Sequence, residues 1–289
     1  MSQRFTLGLI GNPNCGKTTV FNALTGSRQR VGNWPGVTVE RVSGEYSQAG
    51  NTFEVVDLPG TYSLDVTDQE VSLDEQVARS YAQEQTTHLV VNVVDASNLE
   101  RNLYLTTQLA EMQVPLLLAV NMTDVAADKG MKVDTALLAQ KLGCPVVSLA
   151  AASGKGVAEL KQAIAQAAVA PQTTALVPHY EPALDQAVER LLPLLADAPS
   201  PRWLAVRLFE GDALAQKSAP PAALAAAKAE AAALGDDIDI MVADARYGLA
   251  NQLAAAAVHH SGRASRDLTE RIDRIVLNRV LGIPIFLLM

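Results

Sequence analysis

Two cysteines are all the chain contains, Cys15 and Cys144. Neither a disulfide framework nor a cysteine-built zinc site can be assembled from them, and the scarcity fits a reducing compartment. Basic charge is also short. The 23 Lys and Arg residues face 31 Asp and Glu, a net charge of −8. Such a chain lacks the basic stripe that nucleic-acid binding requires. No run reaches the roughly 20 apolar residues of a membrane helix. The start, Met1 to Thr6, is too short and polar for a signal peptide. No internal repeat is visible. What remains is 289 residues with 49% apolar content, enough for one large or two ordinary domains.

Near the start stands Gly11-Asn-Pro-Asn-Cys-Gly-Lys-Thr18, between an apolar run (residues 6–10) and a helical pattern (residues 19–25). The spacing G-x-x-x-x-G-K-[ST] in a strand–loop–helix context is a phosphate-binding loop. Gly11 and Gly16 let the backbone turn and approach an anion. Successive N–H groups and the helix N-terminus supply positive potential. Lys17 can reach the β- and γ-phosphates, and the Thr18 hydroxyl can ligate Mg²⁺.

The chain then alternates. A long loop is expected over residues 27–40, followed by a hairpin of strands 39–47 and 52–56 around Gln48–Asn51. Strands are expected at 89–94, 116–120 and 146–149. Helices are expected at 70–81, 102–112, 133–142 and 157–168. Val-, Ile- and Leu-rich strands between helices imply an α/β fold with a mostly parallel sheet covered on both faces. The ligand then lies at the carboxyl ends of the strands. Composition shifts at Pro171. Beyond it only helices are expected, at 182–195, 202–210, 221–233, 240–259 and 268–281, although 203–209 reads either way. The alanine-rich stretch 222–234 needs no explanation beyond helix propensity.

Asn121-Met-Thr-Asp124 follows a strand. A carboxylate there can accept from guanine N1–H and the 2-amino group, a donor pair that adenine lacks. Asn121 can hold the loop and meet the ring edge. Asp57-Leu-Pro-Gly60 also follows a strand. Asp57 can hold a Mg²⁺-bound water, and the Gly60 N–H can approach the γ-phosphate. Thr38 reads equally as a hydroxyl closing over Mg²⁺ or as a plain β-branched residue entering a strand. A backbone N–H near Ala150-Ala151-Ala152 can complete the base pocket. His259 and His260, adjacent on an expected helix, face different sides and do not form a joint metal site.

In order over residues 6–168, these pieces resemble the translation-factor-related small GTPases. With Asn33-Trp-Pro-Gly-Val-Thr-Val-Glu40, Asp57-Leu-Pro-Gly-Thr-Tyr-Ser-Leu64, Val94-Asp-Ala-Ser-Asn-Leu-Glu-Arg101, Trp203–Asp212, Ala243–Tyr247 and Ile272–Phe286, the chain resembles the cytosolic part of the bacterial ferrous iron transporter B (FeoB) family. The resemblance implies a phosphate-loop GTPase domain over 1–170 and a smaller all-α domain, inhibiting GDP dissociation, over 171–275. It also implies the truncated start of a first transmembrane helix over 276–289, hence a soluble fragment from the cytoplasmic face of the bacterial inner membrane.

It further implies GTP/GDP contacts at Gly11, Asn12, Pro13, Asn14, Cys15, Gly16, Lys17, Thr18 and Thr19, and at Gly36, Val37 and Thr38. More are implied at Asp57, Gly60, Asn121, Met122, Asp124, Ala150 and Ala151. Lys17, Thr38, Gly60 and Asn14 carry the catalytic roles. Mg²⁺ falls to Thr18, Thr38 and, through water, Asp57; K⁺ falls to Asn14, which otherwise only satisfies its own loop. Implied partners are the chain's own membrane domain, small Feo accessory proteins and further copies of itself, with switch loops at 31–39 and 61–72. Three departures stand out: Met122 in place of Lys, Ala150 in place of Ser, and Thr61-Tyr62 with no water-orienting Gln after Gly60. The last implies slow basal hydrolysis. Competing readings are a GTPase acting on RNA or ribosomes, a nucleotide sensor that does not hydrolyse, and an ATP kinase.

Overall fold

A computed structural model describes residues 3–26, 29–34, 37–65, 73–83, 87–174, 176–235 and 237–260. Gly36, residues 66–72 of the expected second switch loop, the expected helix 268–281 and the apolar end 276–289 lie outside the described residues.

The chain opens with β1 (Arg4–Gly11) and α1 (Lys17–Thr25), joined by the phosphate loop. The long loop expected over 27–40 is corrected in part: it contains β2 (Gln29–Asn33). All five β2 residues are exposed, so no alternation of apolar and polar positions announces the strand. It exists as an edge, paired antiparallel with β3 (Glu40–Gln48). The hairpin to β4 (Asn51–Asp57) forms where expected. Ala49 and Gly50 both take positive φ, 51° and 78°, the geometry of a two-residue turn that matches strand twist.

Then follow α2 (Leu73–Gln83), β5 (Leu89–Asp95), α3 (Leu99–Glu111) and β6 (Leu116–Asn121). Two elements were not anticipated, α4 (Thr123–Asp128) and β7 (Met131–Val133), each too short to show a period. Next come α5 (Thr135–Leu142), β8 (Val146–Ser148) and α6 (Val157–Val169). The seven-stranded sheet runs β2-β3-β4-β1-β5-β6-β8. From β4 to β8 every pairing is parallel.

Alternation along the strands sorts the core onto two faces. Leu7, Leu9, Val91, Val93 and Leu117 pack with Phe21 of α1 and Leu160 and Ile164 of α6. Ile10, Val90, Val94 and Leu118 pack on the other face with Leu103 and Leu109 of α3.

The helical part supplies α7 (Pro182–Leu191), α8 (Pro201–Phe209), α9 (Ala213–Ser218), α10 (Pro221–Leu234) and α11 (Ile238–Ala257). The α7 helix stops four residues before the expected 195 and gives way to a tighter turn at Leu192–Leu194, whose Pro193 has no N–H to continue it. The segment 203–209 is helix. The expectation of helices alone is corrected by β9 (Val258–His260), which pairs antiparallel with β7. His259 and His260 therefore lie on a strand, not on a helix, and still point to opposite faces. The apolar side chains of α7, α8, α10 and α11 join the sheet's second core face rather than forming a separate core.

Candidate functional site

The phosphate loop leaves the carboxyl end of β1 and enters α1 through Gly16, whose φ is 82°. A side chain at Gly16 would put its Cβ 2.4 Å from Asn121 Nδ2, and one at Gly11 would lie 2.4 Å from the Val93 carbonyl. Both glycines are thus required by close approach. Helix α1 has no side-chain cap and no acidic residue in its first turn. Its leading N–H groups are free to meet an anion. Lys17 forms an ion pair with Asp57 at the end of β4. Burial raises the Asp57 pKa, and the Lys17 charge opposes that only in part. Thr18 is exposed beside this pair, and Gly60 packs beside Pro13. A hydroxyl and a carboxylate are hard oxygen donors suited to Mg²⁺. Among the described residues no group of three or more His, Cys, Asp and Glu side chains is arranged to hold a metal ion by itself. A metal here needs phosphate oxygens to complete its shell.

On the base side, Asn121 ends β6 and is buried. Its Nδ2 donates to the Cys15 carbonyl, and its Oδ1 accepts from the Ala151 N–H, both at 3.0 Å. Asn121 thus holds the loop, with one bond to Cys15 and one to Ala151. Thr123 Oγ1 also donates to the Leu149 carbonyl at 3.0 Å, closing the same corner. Met122 takes φ 59°, which turns the chain so that Asp124 enters the first turn of α4, exposed, with Oδ1 accepting the Val125 N–H at 3.0 Å. The Met122 methyl lies 3.3 Å from where a Gly16 Cβ would be. Asn121→Ala would leave the Cys15 carbonyl and the Ala151 N–H buried and unpaired, at about 1–3 kcal/mol each. A lowered Tm together with weaker guanine nucleotide binding is the expected result, read by thermal melts with and without GDP.

Thr38 and Asn14 are exposed, Asn14 with φ 67°. The structure brings Asn14, Lys17, Thr18, Asp57 and Gly60 to one end of the sheet. Among the described residues no hydrogen bond joins the Thr38 side chain to them.

A buried charge cluster was not anticipated. Beyond Gly60, the Leu64 N–H donates to Gln108 Oε1 at 2.8 Å, and Gln108 Nε2 donates to Asp65 Oδ1 at 2.9 Å. Asp65 also pairs with Arg207 of α8 and lies 3.4 Å from Arg246 Nη1 of α11. Arg246 bridges to Glu111 of α3 at 2.8 Å and to Glu210 at 3.0 Å. Tyr180 donates to Glu111, and Arg79 of α2 pairs with Asp212 while lying 4.7 Å over the Trp203 ring. Burial alone would raise the Asp65 pKa; the Arg207 and Arg246 guanidiniums overcome that and hold it down at about 2. Glu111 stays raised by burial despite Arg246. One signal was available in the sequence. Val242, Arg246, Ala250, Leu253 and Ala257 recur at helical spacing, so Arg246 sits on an apolar stripe.

The chain is similar to known proteins over most of its length. The family model of ferrous iron transport protein B matches residues 5–164, and that of the FeoB cytosolic helical domain matches 180–259. The Fe(2+) transporter FeoB of Escherichia coli K12 is 44% identical over 289 residues, covering 99% of this chain. That of Salmonella typhimurium is 43% identical, again over 99% of this chain. The chain spans only 37% of the length of either relative. Among solved structures, the cytosolic domain of L. pneumophila FeoB matches with TM-score 0.77 and 35% identity, over 88% of this chain and 99% of that one. A GDP-bound mutant of the S. thermophilus FeoB G-domain matches with TM-score 0.78 and 37% identity, over 88% and 100%. With both family models and these relatives in agreement, the chain belongs to the FeoB family of ferrous iron transport proteins and carries its G domain and cytosolic helical domain.

Proposed function

We propose that this chain binds GTP at the phosphate loop, hydrolyses it slowly to GDP and phosphate, and passes the nucleotide state through its helical domain to a membrane portion that conducts ferrous iron. Residues 1–170 form the GTPase part and 171–275 the helical part in this reading, with 276–289 leading into the membrane. Lys17 and the α1 N-terminus hold the phosphates. Thr18, Thr38 and Asp57, the last through water, hold Mg²⁺, which offsets phosphate charge. Asp124 accepts from guanine N1–H and the 2-amino group, and the Met122 side chain lies beneath the ring. A backbone N–H of the Ala150-Ala151-Ala152 turn, which Asn121 holds in place, completes the base pocket.

The positions just after Gly60, where a Gln would orient water, hold Thr61 and Tyr62. The Gly60 N–H meets the γ-phosphate in this reading, and Asn14 would hold a K⁺ ion that would supply positive charge there. The observation that carries the regulatory reading is the buried cluster joining Asp65, five residues past Gly60, to Arg207 and Arg246 of the helical part. A γ-phosphate that shifts Gly60 must strain or break that cluster, an element of the kind that switches in two states.

Single-turnover cleavage of GTP, measured in K⁺ and in Na⁺, tests the catalytic part. Faster cleavage in K⁺ that disappears in Asn14→Ala is the expected outcome. Absence of cleavage in either salt would favour a sensor that binds without hydrolysing. GTP bound no better than ATP would remove the guanine assignment.

A further inference from the structure

The α4 helix that carries Asp124 has a second connection. Three residues after α4 ends at Asp128, β7 begins and pairs with β9, the strand that ends α11 and leads the chain toward residues 261–289. The Lys129 ammonium donates to Ser97 Oγ at 3.1 Å, so the far end of α4 is tied to the turn after β5. The pairing register is Met131↔His260, Lys132↔His259 and Val133↔Val258. The Asp134 N–H donates to the Ala257 carbonyl at 2.8 Å. Opposed pairs in an antiparallel ladder alternate between bonded and non-bonded. Asp134 and Ala257 are a bonded pair, so Lys132 and His259 are the next, and Met131 with His260 is a non-bonded one. At the other end of β9, the Val258 N–H caps α11 by donating to Ala254.

We infer that β9 is a positioning element for guanine recognition: its pairing with β7 holds α4, and so Asp124, in the place where the base is read. The inference rests on the base-site reading above and adds a residue set that touches no nucleotide. It also gives the exit of the chain a route to the nucleotide that bypasses the switch loops. Displacing β9 frees β7 and loosens α4, which releases the base. By reciprocity, a bound base favours the paired strand. Only backbone pairing is required, so the identity of His259 and His260 is secondary and their N–H directions are what matter.

The test uses the whole 289-residue chain and fluorescent GDP and IDP, the latter lacking the 2-amino group. Met131→Cys with His260→Cys places a disulfide across a non-bonded pair, where Cα atoms stand about 4.5 Å apart, within bridging range. The native cysteines are both buried. GDP release from the oxidised protein is expected to be slower than from the same protein reduced, by about fivefold or more. His259→Pro, which removes a bonded N–H, is expected to speed release and to narrow the preference for GDP over IDP. His260→Pro, whose N–H points away from β7, is expected to match the unchanged chain. Equal release rates in the oxidised and reduced protein would overturn the inference. So would faster release from His259→Pro with the GDP-to-IDP preference intact, because that is general loosening. A wild-type chain that does not prefer GDP to IDP would instead overturn the base-site reading beneath it.

Discussion

Asp124→Asn is expected to lower GTP affinity by about two to four orders of magnitude while leaving the fold unchanged. The size follows from the chemistry. An exposed carboxylate that accepts two hydrogen bonds from one ring edge makes two charge-assisted bonds, at about 1.5–3 kcal/mol each, and each 1.4 kcal/mol is a factor of ten. An amide keeps one acceptor but turns the other contact into donor against donor. The same substitution is expected to raise affinity for xanthosine triphosphate, whose 2-oxo group accepts where guanine donates. Among the described residues the Asp124 side chain is exposed and accepts only from the N–H of the residue after it, so melting temperature is expected to hold. Titration of both nucleotides on the variant decides the matter. Undiminished GTP binding would put the base elsewhere.

The second large effect is expected from Arg246→Ala. The Arg246 side chain is fully buried and bridges Glu111, Glu210 and Asp65. Burial alone would lower its pKa; the surrounding carboxylates raise it instead, so it stays charged. Removing one partner of a buried charge network leaves the others uncompensated, at about 3–5 kcal/mol. For a chain of this size a fall in Tm on the order of 10 °C follows. Arg246→Ala combined with Glu111→Gln should recover part of it, since the orphaned carboxylate is gone. An undiminished Tm in the single variant would mean that the cluster is not a stabilising joint.

The same cluster sets an acid dependence. Asp65 has its pKa held at about 2, below the unfolded carboxylate value near 4. A depressed carboxylate contributes stability that is fully present above the unfolded value and is lost as pH falls toward 2. Glu111, raised by burial, contributes in the opposite sense. The acid-induced loss between pH 4 and 2 is expected to be shallower in Arg246→Ala than in the parent. Chemical denaturation at stepped pH measures it.

The parts of the fold legible in the sequence were those with a period or a backbone demand. The strands β1, β5 and β6 are mostly apolar runs, and Gly11 and Gly16 sit where no Cβ fits. The members of the site each follow a strand, which is where an α/β sheet presents its ligands. Elements with no period were not legible. All residues of β2 face solvent, while β7 and β9 are three residues each and exist only because they pair across 125 or more positions of sequence. The role of Asn121 was half legible. Its residue type suggested a loop anchor, but only the fold shows that one amide serves both the phosphate loop and the Ala151 turn. The charge cluster was hidden for a different reason. Asp65, Glu111, Arg207 and Arg246 belong to four distant segments, and apart from Arg246 on its apolar stripe each alone reads as an ordinary solvated charge.

Helix α11 has 20 residues and lies against α3, and two further ties pin it, Arg246 near its middle and β9 at its end. At 1.5 Å per residue, the first anchor lies about 12 Å from the start of the helix and about 17 Å from its last residue. A rod fixed at one point can swing but not slide, and a rod fixed at two can do neither. Under the two proposals above, the helix would act as a latch with two bolts, one drawn from the γ-phosphate side through Arg246 and one from the base side through β9. It would gain freedom of orientation when either bolt is drawn, and freedom of translation only when both are.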